Sequence, residues 1–354
     1  MKHNFNAGPS ILPQQAIDKT VEALKNFNNT GLSIAEISHR SPGWDEAMDE
    51  CRSLWKDLLL IPDEYEVLLL HGGASQQFLM VPYNLLQNKA AYLDTGVWAK
   101  KAIEAAKFLG EIQIVASGKE SNYSIIPKYE IPTGVDYFHY TSNNTIFGTE
   151  ILADHDSPVN VVADMSSDIL SRPVDISKYA IIYGGAQKNA GTAGVAFVIV
   201  RKDILGKVSR PIPAFFDYRS HIKDKSMYNT PPVIPIFMMK ETLQWLKNLG
   251  GVTKIQQLNQ AKAELLYGEI DKNPVFKGTA AKEHRSLMNV CFVLDEKYAG
   301  KEQDFMNLSK EYGIVGIKGH RSVGGFRASL YNALPIESVK ALVDCMQEFE
   351  KKIG

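Results

Sequence analysis

"VNVVADMSSDILSRPVDISKYAIIYGGAQKNAGTAGVAFVIVRK", residues 159–202, holds three apolar runs, and two of them end in reactive side chains. The first run stops at Asp164. The second enters a Gly/Ala-rich turn that carries Lys188, and the third follows Gly194 and stays apolar to Val200. Short runs of Val, Ile, Ala and Phe bounded by polar or glycine-rich turns read as strands buried on both faces.

The same grammar extends towards the N-terminus. "EYEVLLLHGGAS" (64–75) reads as a strand ending in a glycine turn, and "SQQFLMVPYNLL" (75–86) as a helix with Ser75 as a candidate N-cap. "KAAYLDTG" (89–96) is a strand, "VWAKKAIEAAKFLG" (97–110) a helix, and "DYFHYTSNNT" (136–145) a strand with a polar end. Earlier still, "PQQAIDKTVEALKNF" (13–27) sets Ile17, Val21, Leu24 and Phe27 at helical spacing, and "DEAMDECRSLWKDLLL" (45–60) is a second amphipathic helix. Strands alternating with helices predict an α/β fold, with a mostly parallel sheet flanked by helices.

Beyond "MYNTPPVIPIF" (227–237) the texture changes. Residues 237–270 read as one long, interrupted helical stretch that bridges two domains. "HRSLMNVCFVLD" (284–295), "FMNLSKEYGIVGIKG" (305–319), "GGFRASLYN" (324–332) and a terminal helix (336–353) follow as a β-α-β-α series. The expected division is a large domain over 16–255 and a smaller C-terminal α/β domain over 256–354.

Composition narrows the function. The chain has 354 residues, 45% hydrophobic and 22% charged, as in an ordinary soluble globular protein. A formal net charge of -1 gives no general pull towards nucleic acid or anionic membrane. "MKHNFNAGPSILPQQ" (1–15) lacks the apolar core of a signal peptide, and no stretch reaches the apolar length of a membrane span. The three cysteines, Cys51, Cys291 and Cys345, form no C-x-x-C pair, which fits a reduced, cytoplasmic protein. The eight histidines show no H-x-x-x-H or H-E-x-x-H spacing, so no metal site is expected.

In open parallel sheets ligands bind beyond the carboxyl ends of the strands. "HGGASQQF" (71–78) places a glycine turn and a helix start at one such end, which reads either as a capped tight turn or as a phosphate site. Asp164 is either an N-cap or an acid that keeps a heterocyclic nitrogen protonated. Lys188 is either a solvated turn lysine or a nucleophilic amine. Trp98 is a packing residue or a flat stacking surface, and Thr145 and Gln187 suit a phenolic oxygen or a phosphate. Phosphate cradle, stacking ring, pyridinium acid and reactive lysine, in this order on a β/α chain, describe a pyridoxal 5'-phosphate site.

The chain resembles the class V aminotransferases from end to end. The resemblance rests on "NFNAGPSILP", "EISHRS", "HGGASQQF", "DTGVWAKKA", "ADMSSDILSRP", "YGGAQKNAGTAG", "MYNTPPV" and "KGHRSVGGFRASLYNA". It implies the fold-type I architecture of pyridoxal-phosphate-dependent transferases, with residues 1–15 packing near the small domain and the active site. It implies cofactor attachment to Lys188, Asp164 at the ring nitrogen, Trp98 over the ring and Thr145 at the phenolic oxygen. Ala74, Ser75 and Gln187 would hold the phosphate, completed by Asn229 and Thr230 from the second subunit of a homodimer. His39, Arg40, His320, Arg321 and Arg327 would bind substrate. Two departures stand out. Some members carry a serine where this chain has Ala7, and some carry an arginine where it has Ser75, so phosphate binding must lean on amides and hydroxyls.

The implied reaction passes the amino group of L-glutamate to 3-phosphohydroxypyruvate, giving O-phospho-L-serine and 2-oxoglutarate. The arginines suit that pair of substrates. One anchor meets a carboxylate in both half-reactions, and a bidentate arginine, Arg327, serves there. The other must accept a carboxylate or a phosphate, and the His39-Arg40 and His320-Arg321 pairs offer fixed charge and titratable imidazoles. The resemblance also leaves open the related phospho-keto acid of pyridoxine synthesis. The competing readings are a serine–pyruvate type aminotransferase, a cysteine desulfurase and a non-catalytic α/β ligand-binding protein.

Overall fold

The computed structural model describes residues 2–353. In chain order, β1 (His3–Asn4) precedes α1 (Gln14–Lys25) and α2 (Pro42–Leu59). Next come β2 (Tyr65–His71), α3 (Ala74–Leu85), β3 (Lys89–Asp94), α4 (Val97–Ala106), β4 (Glu111–Ser117) and β5 (Tyr137–Thr141). The short hairpin strands β6 (Asn143–Asn144) and β7 (Thr149–Glu150) lead to β8 (Asn160–Asp164), β9 (Ile181–Gly185) and β10 (Val195–Arg201). The helices α5 (Tyr218–Lys223), α6 (Val233–Asn248) and α7 (Gly251–Lys272) follow. The chain closes with β11 (Phe276–Gly278), β12 (Asn289–Leu294), α8 (Glu302–Glu311), β13 (Ile314–Val315), β14 (Phe326–Ser329) and α9 (Ile336–Ile353).

A seven-stranded sheet in the order β2-β10-β9-β8-β5-β3-β4 forms the frame. Every neighbouring pair is parallel except those made by β10, which runs antiparallel to both β2 and β9. Side chains alternate across it. Val67 and Leu69 of β2 and Phe197 and Ile199 of β10 enter one core with Trp44 and Trp55 of α2. Leu68 and Leu70, with Val198 and Val200, enter the opposite core with Phe78 of α3 and Ile103 of α4. Fully burying such a side chain stabilises by about 1.5–3 kcal/mol, so this period-2 pattern fixes the register strongly. A third core gathers Phe276, Phe292, Phe305, Phe326 and Phe349 of the C-terminal segment with Phe5 from the N-terminus.

The long helical stretch is interrupted, as expected, and the break falls at Gly250 and Gly251, which take φ of +111° and +72° between α6 and α7. Four local expectations change. Ser75 is not an N-cap: Gly73 holds that position, with no side-chain cap, and Ser75 is the second residue of α3. Gly72, at φ +86°, turns the chain early enough to start the helix there. On α1 the buried face is Ala16, Thr20 and Ala23, while Val21 and Leu24 remain 44% and 39% exposed. The small residues let α1 lie close on α6. The C-terminal strands β11, β12 and β14 form an antiparallel sheet, and β13 leaves it to pair with β1. The sequence reading passed over β4, an edge strand whose alternation is blurred by polar and exposed positions. No helix among the described residues is long and apolar enough to cross a membrane.

Candidate active site

The carboxyl ends of β5, β8 and β9 fall on one edge of the sheet, because Thr141 is in register with Asp164 and Asp164 with Tyr183. The start of α3 reaches the same edge through β2 and β10, where His71 pairs with Val195. Beyond that edge lies a cavity of about 300 Å³. Ala74, Ser75, Trp98, Thr145, Asp164, Gln187, Lys188, His320 and Arg327 all line it.

Asp164 is 3% exposed. Its Oδ1 accepts from the Ser166 amide at 3.0 Å and the Ser166 hydroxyl at 2.6 Å, while Oδ2 bonds to no described residue. Burial raises its pKa, and the Ser166 bonds and the Lys188 charge oppose that rise. The turn after β9 brings Lys188 to the same cavity. No described group bonds its Nζ, and burial pushes the amine down to about 8. Asp164 and Asp168 counter that shift, and Arg327 adds to it.

Trp98 sits in the first turn of α4. Its Nε1 donates to Thr145 Oγ1 at 3.1 Å, and the Thr145 carbonyl accepts from Arg327 Nη1 at 2.8 Å. One threonine thus ties the indole to the guanidinium. Arg327 Nε is buried without a partner. The turn ahead of Trp98 needs Gly96, since a Cβ there would lie 2.4 Å from Asn144 Oδ1. His320 lines the cavity with Nδ1 held 2.7 Å from the Ser322 hydroxyl. Burial lowers its pKa, helped by Arg327, Arg321 and Lys101. The first turn of α3 leaves the amides of Ala74 and Ser75 without intrahelical acceptors, which suits an anion.

Five of the residues singled out do not line the cavity. His39 and Arg40 lie before α2, Arg321 is exposed beside His320, and Asn229 and Thr230 are exposed ahead of α6. Sequence reasoning also missed contributors. Thr141 and Ser166 line the cavity, and strand register with Asp164 was the available signal for Thr141. Asp168 lies behind them, buried, its pKa raised to about 6 by burial. Ser10 donates to the Lys188 carbonyl at 2.7 Å and its amide to the Gln187 carbonyl at 3.0 Å, so that Ala7 and Gly8 become a cavity wall.

These features define a class. A buried acid with one oxygen fixed and one free, an amine of lowered pKa, an indole and a helix start fit an aromatic aldehyde phosphate with a ring nitrogen. Residues 2–342 match the family Aminotransferase class-V, and the chain belongs to it. Pyridoxal phosphate is accordingly its cofactor. A phosphoserine aminotransferase of Azobacteroides pseudotrichonymphae is 61% identical over 99% of this chain and 98% of its own. The structure of the phosphoserine aminotransferase from Bacillus circulans subsp. alkalophilus superposes with a TM-score of 0.95, at 41% identity, over 100% of this chain and 99% of that one. Another, which records radiation damage of the Schiff base in phosphoserine aminotransferase, gives a TM-score of 0.94 at 44% identity over 99% of each chain.

Proposed function

We propose that the chain transfers the amino group of L-glutamate reversibly to 3-phosphohydroxypyruvate, forming O-phospho-L-serine and 2-oxoglutarate. The observation that carries this reading is the convergence of Asp164, Lys188, Trp98 and Arg327 on one cavity. End-to-end similarity to phosphoserine aminotransferases supports the choice of substrates.

When bound, pyridoxal phosphate supplies a carbonyl carbon for the amine and a conjugated ring that takes up the electron pair left at the substrate α-carbon. Asp164, with Oδ1 held by Ser166, would keep the proton on the ring nitrogen. Lys188 would hold the cofactor and then carry the α-carbon proton on Nζ, which a pKa of about 8 suits. Trp98 would cover the ring and exclude water. The α3 start and Gln187 would hold the phosphate. Arg327, fixed by Thr145, would grip the carboxylate common to both substrates. The His39-Arg40 and His320-Arg321 pairs would receive the glutamate side chain or the substrate phosphate.

The site is a homodimer's in this reading, with Asn229 and Thr230 given to the partner's phosphate cradle, and the enzyme works in the cytoplasm. A desulfurase reading finds no reactive thiol: Cys51, Cys291 and Cys345 are buried, and burial pushes them to about 12, 12 and 11. The test is direct. Purified protein should be yellow, and borohydride should bleach it and fix the cofactor to Lys188 in a mapped peptide. Glutamate and phosphoserine should each change the spectrum. A protein that retains cofactor but answers to neither amino acid would refute the substrate assignment.

A further inference from the structure

Lys262, on α7, is 2% exposed, and the partners of its ammonium are backbone carbonyls. Its ammonium donates to three carbonyls of a single loop: Leu330 at 2.9 Å, Tyr331 at 2.8 Å and Leu334 at 3.1 Å. A lysine ammonium is the side chain with three donors on one atom, which is what three converging carbonyls require. Burial pushes the ammonium towards about 7, and the surrounding carbonyl oxygens favour its charged form.

That loop, residues 330–334, follows the strand that carries Arg327 and leads into α9. It touches the active site twice. The Tyr331 hydroxyl donates to the carbonyl of Ala7, a cavity wall, at 2.8 Å. The Asn332 amide donates to Asn189 Oδ1, one residue after Lys188, at 3.0 Å. The Asn332 side chain is itself held, donating to the Leu170 carbonyl at 2.9 Å and accepting from Asn259 Nδ2 at 2.9 Å.

We propose that Lys262 is a positioning residue: by holding loop 330–334 it fixes Asn332 against Asn189 and Tyr331 against Ala7, and so sets the place of Lys188 and the adjoining wall. This rests on the aminotransferase reading of the site. The tests therefore include measurements on the cofactor-free chain, which need no substrate.

Lys262→Met keeps an unbranched side chain, one heavy atom shorter, and removes every donor. In the cofactor-free protein, hydrogen exchange of peptides covering 330–334 should quicken by about tenfold, and so should exchange of 186–191, with β2 and β10 unchanged. The pH midpoint for labelling Lys188 by an amine reagent should move by about half a unit or more. Asn189→Ala, which removes the Oδ1 that accepts from the Asn332 backbone amide, should move it the same way, and the double variant should add nothing to the larger single effect. Faster exchange confined to 330–334, with the Lys188 midpoint unmoved, would overturn the proposal. Should Lys262→Met fail to fold, Asn189→Ala decides: an unmoved midpoint there overturns it equally. Failure of the substrate reading appears separately, as wild-type protein that does not react with glutamate or phosphoserine.

Discussion

Two opposed influences act on the Lys188 amine. Burial removes the water that would stabilise its charge, and the two aspartates restore part of that stabilisation. With a pKa of about 8, the amine is protonated below that pH and free above it. Labelling of the cofactor-free chain at Lys188 should therefore rise through about pH 8, while surface lysines respond near their ordinary 10.4. Arg327→Leu removes a positive neighbour and should raise the midpoint, and Asp164→Asn should lower it. Between these pH values the unfolded chain binds the proton that the folded chain has released, so this group's contribution to stability grows as pH rises from about 8. Lys188→Ala should retain cofactor through the phosphate cradle and Trp98 yet show no turnover in a steady-state assay. Arg327→Leu should weaken both substrates by about 2–5 kcal/mol, measured as Kd by spectral titration, whereas Arg321→Leu should penalise phosphohydroxypyruvate more than glutamate. Asp164 and Lys188 were legible because each ends an apolar run. Ser166 and Asp168 were not, because their value comes from orientation around Asp164 and from proximity to Lys188, which no spacing rule encodes.

At the scale of elements, the close approach of β8 and β9 matters most. Gly184 faces Phe197 across the β9–β10 ladder. A Cβ there would lie 2.5 Å from the Phe197 ring and 2.7 Å from the Ser166 Cα. Ser166 is the residue that anchors Asp164, and its hydroxyl also receives the Gly185 amide at 3.2 Å. Gly184→Ala should cost about 1–3 kcal/mol by urea denaturation and should also loosen cofactor binding, measured by fluorescence titration. A loss of stability with unchanged cofactor affinity would separate this packing from the placement of Asp164. The strands of the main sheet were readable where both faces are buried, as in "VNVVAD" and "VAFVIV". The buried face of α1 was not readable. Hydrophobic spacing chose the large side chains, but close helix packing selected Ala16, Thr20 and Ala23.

At the scale of the whole molecule, the proposed phosphate cradle draws on a second chain. Asn229 and Thr230 lie outside their own chain's cavity, after which two prolines hold the segment extended. Subunit mixing tests whether they serve a partner. One variant is Lys188→Ala, and the other replaces Asn229 and Thr230 with alanine, provided that change alone nearly abolishes activity. A mixed dimer would then contain one doubly damaged site and one intact site. With about half of the dimers mixed, roughly a quarter of wild-type sites should return. No recovery, with mixed dimers shown to form, would end the shared-site reading. The change of texture after residue 237 marks where the strands of the main sheet give way to α6, α7 and the separate antiparallel sheet, but the pairing of β1 with β13 was not readable. Two-residue strands carry no periodicity.

The position of β10 also sets a timetable. This strand lies between β2 and β9, so β2 has no partner in the main sheet until β10 has been made. Roughly 120 residues separate the two, which at about 5–20 residues per second is roughly 6–25 s of synthesis. During that interval the nascent chain carries an apolar strand with both edges open, a species prone to association and suited to chaperone binding. Arg327 emerges later still, so a ribosome-bound chain can assemble the sheet before it can complete the wall of the cavity beyond it.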